Sequence, residues 1–179
     1  MITPLRLARF VLPLLVLCLA GCAGYQVGAI KPTPMRGVQT IAVPTFKNNT
    51  LETRVEVLLA NAVIKQIQQD GTYRIADEHT ADAILVGTLE EIERRPARSV
   101  RGNVLLSREY NLVLRVRYRV YQRETGVELE SRNVNGQTSF FVSGTNVLSA
   151  DVLQDERQAL PLAAEELAIR LTSQISEGW

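Results

Sequence analysis

Between Tyr110 and Tyr121 the side chains alternate without a break. Tyr110, Leu112, Leu114, Val116, Tyr118 and Val120 fall on one phase, and Asn111, Val113, Arg115, Arg117, Arg119 and Tyr121 on the other. Successive side chains of a strand face opposite ways, so this sustained period of two predicts a long antiparallel strand with one covered and one polar face. Glu124-Thr125-Gly126 predicts a hairpin turn in which Gly126 supplies positive φ. The next strand is expected from Val127 toward Val142, with Gly136 marking a bulge or bend. Upstream, Ala83 to Glu93 carries Ile84, Leu85, Val86, Leu89 and Ile92 and reads as a largely buried strand.

The covered face needs a layer to cover it, and two segments at helical spacing can supply one. Leu51, Val55, Leu58, Leu59, Ala62, Val63 and Ile67 recur on one helical face, and Asp70-Gly71 is suited to end that helix. Asn49 or Thr50 is expected to cap it, with Glu52 or Glu56 in the first turn. Ala159, Leu160, Ala163, Ala164, Leu167, Leu171 and Ile175 share a second helical face. Pro161 either sits in the first turn of that helix or kinks one that began near Asp151 to Asp155. Short strands are expected at Val38 to Pro44 and at Tyr73 to Ile75. The expected fold class is α+β: a two-layer sandwich, two amphipathic helices packed on one face of a mixed, mostly antiparallel sheet.

The N-terminus predicts export. Arg6 and Arg9 precede an apolar run from Phe10 to Leu19, and small residues at Ala20 and Gly21 lead directly to Cys22. That run is shorter than the roughly 20 apolar residues of a spanning helix. Leu19-Ala20-Gly21-Cys22 looks like a bacterial lipobox, in which the cysteine thiol takes a diacylglycerol before cleavage and its amino group is then acylated. Cys22 is therefore the expected lipidation site, and residues 1–21 the signal peptide. The other cysteine, Cys18, leaves with the signal, so no intramolecular disulfide is expected. Two or more acyl chains give stable anchoring. Ala23 follows the lipid site where similar lipoproteins retained at the inner membrane tend to carry aspartate, which favours the outer membrane. Residues 22–36, with Gly24, Gly28, Pro32 and Pro34, read as a lipidated tether, and residues 37–179 as a single domain.

Composition excludes some functions. Removing Arg6 and Arg9 from the 20 basic residues leaves 18 against 19 acidic ones, which argues against a nucleic-acid partner. The one histidine, His79, sits in a polar stretch and reads as a surface or turn residue, with no cysteine or second histidine to complete a usual metal site. No serine lies in a nucleophile elbow, and no glycine-rich phosphate loop follows a strand. No catalytic residue, metal or cofactor is expected.

Order and length together point to a family. The lipobox followed by Gly24-Tyr25, then Ile41-Ala42-Val43-Pro44-Thr45-Phe46 with Asn48-Asn49-Thr50, resembles the lipopolysaccharide-assembly lipoproteins of the LptE family. The resemblance continues through Ala81-Asp82-Ala83-Ile84-Leu85 and Glu109-Tyr110 to Glu156-Arg157-Gln158-Ala159-Leu160 and the helix reaching Trp179. It implies a non-enzymatic outer-membrane lipoprotein on the periplasmic face, with the two-layer fold. Its implied partners are lipopolysaccharide and an LptD-like β-barrel, which such a protein plugs and helps to assemble.

Arg94, Arg95, Arg98, Arg101 and Arg108 cluster in and around the loop expected between two long strands, with Val104, Leu105 and Leu106 beside them. A guanidinium presents a planar fork suited to phosphate, so these five are the candidate lipopolysaccharide contacts, Arg101 foremost. The plainer alternative pairs them with Glu90, Glu91, Glu93 and Glu109 at a solvated tip. Arg115, Arg117 and Arg119 form a second basic stripe, read as a solvated sheet face. The alternative function is a periplasmic lipoprotein that activates a cell-wall synthase or forms part of a secretion pore.

Overall fold

The alternating segment becomes the middle strand of the long antiparallel ladder in a six-stranded sheet. The computed structural model describes residues 31–98, 108–142 and 149–178. Cys22 and the signal lie outside them. A 3-10 turn at Thr33–Met35 leads into β1 (Thr40–Ala42), β2 (Lys47–Asn48), α1 (Val55–Asp70), β3 (Arg74–Ile75), β4 (Ala83–Arg98), β5 (Arg108–Gln122), β6 (Glu128–Val142) and α2 (Ser149–Glu177). The strand order is β3-β1-β4-β5-β6, with β2 also pairing β4. β4, β5 and β6 form a long antiparallel ladder, whereas β1 runs parallel to β3 and β4 and β2 runs parallel to β4. Parallel neighbours need a crossover, and α1 supplies it between β1 and β3.

Both helices lie on one face of the sheet, making the two-layer sandwich. Leu112, Leu114, Val116, Tyr118 and Val120 of β5 are buried, as the alternation requires, together with Val55, Leu59, Val63 and Ile67 of α1 and Ala163, Ala164, Leu167, Leu171 and Ile175 of α2. Neighbouring Phe140 and Phe141 divide between the faces, the first buried and stacked on Tyr110, the second exposed. Two tyrosines fasten the layers. Tyr73 Oη donates to the carbonyl of Ile175 at 2.6 Å, and Tyr118 Oη lies 2.8 Å from Glu130 and 3.0 Å from Gln174. Burial and the nearby Glu130 carboxylate push both phenols far above their ordinary value, keeping them protonated donors.

Several sequence expectations change. Gly136 marks no bulge: it pairs in register with Leu114, and the β5–β6 irregularity falls at Val120/Tyr121 instead. Its role is clearance, because a Cβ there would sit 2.5 Å from Leu167 Cβ and 2.7 Å from Leu167 N of α2. Gly87 plays the same part under the ring of Phe46. Helix α1 starts at Val55, so Leu51 stands fully exposed in the preceding turn rather than on the helix face. Neither Asn49 nor Thr50 caps the helix. The residue before it, Arg54, is left-handed (φ 71°) with no side-chain cap bond. Asn48 organises the turn: its Oδ1 accepts from Thr50 N at 2.8 Å, and its Nδ2 donates to Glu52 O at 2.6 Å and to Glu56 Oε2 at 2.7 Å. Gly71 closes α1 at φ 77° and Gly126 turns the hairpin at φ 69°, both as expected. α2 runs through Pro161, which lies well inside it.

Asp82, just before β4, locks β1 to it. Its Oδ2 accepts from Gln39 N and Thr40 N, both at 2.9 Å, while its own amide donates to Thr40 Oγ1 at 2.9 Å. These amide donors hold the Asp82 carboxyl below its ordinary value.

Two expected outcomes follow from these contacts. Gly136→Val should destabilise the domain by about 1–3 kcal/mol through overpacking, read as a lower denaturation midpoint. Asn135→Val, on the open face, should stay within about 0.5 kcal/mol. Because Asp82 has a depressed folded-state pKa, its contribution is complete above the ordinary carboxylate value of 3.8 and lost as pH falls through the lower folded value. The stability gap between wild type and Asp82→Asn should therefore be constant at neutral pH and close only below about pH 3.8, measured by urea titration across pH.

Candidate functional site

One extra residue in β4 decides where the candidate arginines go. Leu89 pairs with Val116 and Glu91 with Arg115, so Glu90 is a bulge. Before it, Ala83, Leu85, Gly87 and Leu89 face the helices. After it the phase reverses: Ile92 pairs with Leu114 and Arg94 with Leu112, both on the covered side, while Glu93 and Arg95 join the open face. The strand continues to Arg98, past the expected end at Glu93.

Arg94 therefore points beneath the sheet, where the two helical segments converge. Its Nε donates to Glu156 Oε2 of α2 at 2.6 Å, and its Nη2 donates to Glu52 Oε1, just before α1, at 3.0 Å. Glu156 Oε1 lies 2.5 Å from Arg94 Nη2, an ionic contact without hydrogen-bond alignment. Glu156 is only 3% exposed. The Glu156 hydrogen bond, followed by the charges of Glu156 and Glu52, raises the Arg94 pKa further. The result is a three-way clamp joining β4, α2 and the turn before α1. Neither carboxylate was foreshadowed by the pattern around Arg94, because a one-residue bulge leaves no periodic trace.

Arg95 lies on the opposite face. Its Nε and Nη2 fork the Glu93 carboxylate at 2.6 and 2.8 Å, and Arg115 Nη2 adds a third bond at 2.9 Å. Arg95 first and Arg115 second hold the Glu93 carboxyl below its usual value. Here the plainer sequence alternative names the right partner. Arg98 ends β4 and Arg108 opens β5, so both stand at the same end of the ladder. Arg101, Val104, Leu105 and Leu106 lie outside the described residues.

The Arg115, Arg117 and Arg119 stripe occupies the open face. Arg117 meets Glu90 at 3.0 Å, Arg115 meets Glu91 at 3.4 Å, and Arg119 lies 3.9 Å from Glu128. Such exposed pairs contribute about 0–1 kcal/mol each, so their effect is to make the face polar and ordered rather than to hold the fold. Among the described residues, no three His, Cys, Asp or Glu side chains group to hold a metal, and no helix is long and apolar enough to cross a membrane. His79 is exposed in a turn, its amide donating to Asp77 Oδ1 at 2.9 Å.

The described residues thus form a two-layer α+β domain with one covered face, one charge-laddered face and arginines at the far ends of β4 and β5. A family profile described as lipopolysaccharide-assembly, LptE, matches residues 38–175. The chain belongs to that family. No curated protein matches the sequence. Among solved structures, it resembles a neuraminyllactose-binding hemagglutinin homolog from Helicobacter pylori (TM-score 0.52, 11% identity, covering 85% of this chain and 89% of that one). It also resembles the hypothetical protein CT253 from Chlamydia trachomatis (0.50, 9%, covering 77% and 98%). A minor lipoprotein from Acinetobacter baumannii aligns at TM-score 0.48 with 16% identity, covering 78% of this chain and 91% of that one. At these identities the first two likenesses speak for the fold alone.

The clamp has a measurable consequence. Arg94→Ala strands a buried carboxylate and should cost about 2–3 kcal/mol, less than a fully buried pair because the guanidinium is partly solvated. Glu156→Ala should cost less than Arg94→Ala. The double variant should recover part of the loss in chemical denaturation. Additive losses would show that the two side chains are not coupled.

Proposed function

We propose that this protein is an outer-membrane lipoprotein, anchored through lipid on Cys22, that docks with and plugs an LptD-like β-barrel. There it assists barrel assembly and the passage of lipopolysaccharide to the outer leaflet. The observation carrying this reading is the lipopolysaccharide-assembly family match over residues 38–175. The geometry suits it. The tether enters at Lys31, whose Nζ donates to Val38 O at 2.6 Å, beside the β1 end of the sheet. The arginine-bearing ends of β4 and β5 stand at the other end of a ladder of 16 residues, roughly 50 Å at about 3.3 Å per residue. One end is thus set for the membrane anchor and the other reaches away from it.

The contact to lipopolysaccharide is proposed at Arg98, Arg101 and Arg108, with Arg101 the foremost. Arg94 and Arg95 belong to the same strand end, but carboxylates already engage them, so their part is to hold that end in place. A planar guanidinium fork suits the phosphates of lipid A.

Affinity purification of the tagged protein from detergent-solubilised outer membranes should recover a large barrel in near-equal amount. Cys22→Ala should move the protein out of the outer-membrane fraction. Arg98, Arg101 and Arg108 changed together to glutamate should weaken lipopolysaccharide binding at least about tenfold, since hydrogen bonds to charged groups contribute roughly 1.5–3 kcal/mol, while barrel recovery persists. Recovery of a cell-wall synthase, or of a ring of this chain without a barrel, would overturn the proposal.

A further inference from the structure

The open face of the sheet holds a recess that docking at the strand tips leaves unused. It lies toward the tether end, where β2 runs beside β4, and encloses about 490 Å³. Lys47 of β2 and Arg117 and Arg119 of β5 line it, together with Asn49, Thr88 and Tyr121. Glu90, the bulge residue, is the one carboxylate in its lining. Charge balance differs along this face. At the far end Arg115 reaches Glu93 at 2.9 Å and Glu91 at 3.4 Å. Within the recess, Glu90 is taken by Arg117 at 3.0 Å, and the carboxylate beside Arg119 is Glu128 at 3.9 Å, beyond hydrogen-bond reach. Arg119 Nη1 instead donates to Tyr121 Oη at 3.3 Å. Lys47 has no ion-pair partner among the described residues. Three cations thus share one carboxylate in the lining of this recess, with Lys47 unpaired among the described residues and Arg119 only distantly paired, ringed by hydroxyl and amide groups.

The scaffold favours a small oxyanion. Arg117 and Arg119 are two apart on one strand, so their Cα atoms stand roughly 7 Å apart on the same face. Lys47 approaches from β2, whose pairing with β4 at Thr88 and Leu89 fixes its position. Guanidinium forks combined with an ammonium and hydroxyl donors match a phosphate monoester, which accepts several charge-assisted hydrogen bonds.

We infer that the recess lined by Lys47, Arg117 and Arg119 is a phosphate-monoester site, distinct from the strand-tip arginines. Arg108 and Arg117 are nine residues apart on β5, roughly 30 Å at about 3.3 Å per residue. A phosphate held here is therefore a different group from one held at the tip. The site does not depend on the barrel reading.

The test uses the full-length lipoprotein in detergent, titrated with inorganic phosphate while amide resonances are followed by NMR. Saturable shifts should concentrate at Lys47, Thr88, Arg117 and Arg119. Arg119→Glu and Lys47→Gln should each weaken the response, the former at least about tenfold. Arg170→Glu, an equal charge change on α2, should leave it unaltered. A non-saturating response, or equal loss in Arg170→Glu, would overturn the site. Competition then distinguishes the source of the phosphate. Displacement by phosphorylated but not by dephosphorylated lipopolysaccharide assigns it to the lipid headgroup, and displacement by neither assigns a soluble phosphate ester. Barrel recovery is read separately, so failure here leaves the docking reading standing.

Discussion

The packing of α2 against the covered face of β5 and β6 is the contact on which the rest of this molecule depends. At Gly136 the helix backbone comes so near the strand that no side chain fits between them. Around that point Ala163, Ala164, Leu167 and Leu171 meet Leu114, Val116 and Val134 with almost no residual exposure. Each large aliphatic side chain buried this way contributes about 1.5–3 kcal/mol, against about 0–1 kcal/mol for an exposed ion pair. The helix contact therefore wins over the charge ladder on the other face as the source of stability. Small residues on the helix and a glycine on the strand allow it, since a close approach raises contact density on both sides.

With one face committed to the helices, the other is free to be polar, and it is polar in an organised way. Arg115 and Arg117 meet carboxylates from β4, with the Glu90 bulge placing Glu90 and Glu91 side by side on the open face. The same bulge turns Arg94 under the sheet onto Glu156 and Glu52. One inserted residue thus sets both the charge pattern outside and the clamp inside. The clamp ties the strand end that carries Arg98 to α2 and to the turn before α1, giving the candidate ligand end a rigid base.

The ladder separates the two ends of the protein. Lys31 enters beside β1, Asp82 locks β1 to β4, and the long strands carry the basic residues away from that junction. Under the proposed function, this separation would let a protein held at a membrane by one end present the other to a ligand. Rigid strands supply reach without the entropy a flexible linker would lose on binding.

Much of this was legible in the residues themselves. The period of two from Tyr110 to Tyr121, the helical faces of α1 and α2, and the glycines at Gly71 and Gly126 are local patterns, and local geometry decided them. The division of the arginines was not legible, because alternation counted through β4 cannot reveal an extra residue at Glu90, and the side chains from Ile92 to Arg95 change face after it. The start of α1 escaped as well: Asn48 reaches forward to Glu52 and Glu56, and Arg54 takes a left-handed turn that sequence preferences disfavour for a non-glycine residue. Gly136 reads as a strand irregularity in isolation and becomes a clearance site only once α2 lies across it. Periodicity along one chain determines which face of each element is apolar. Register, bulges and close approach depend on a second element, so only the tertiary structure decided them.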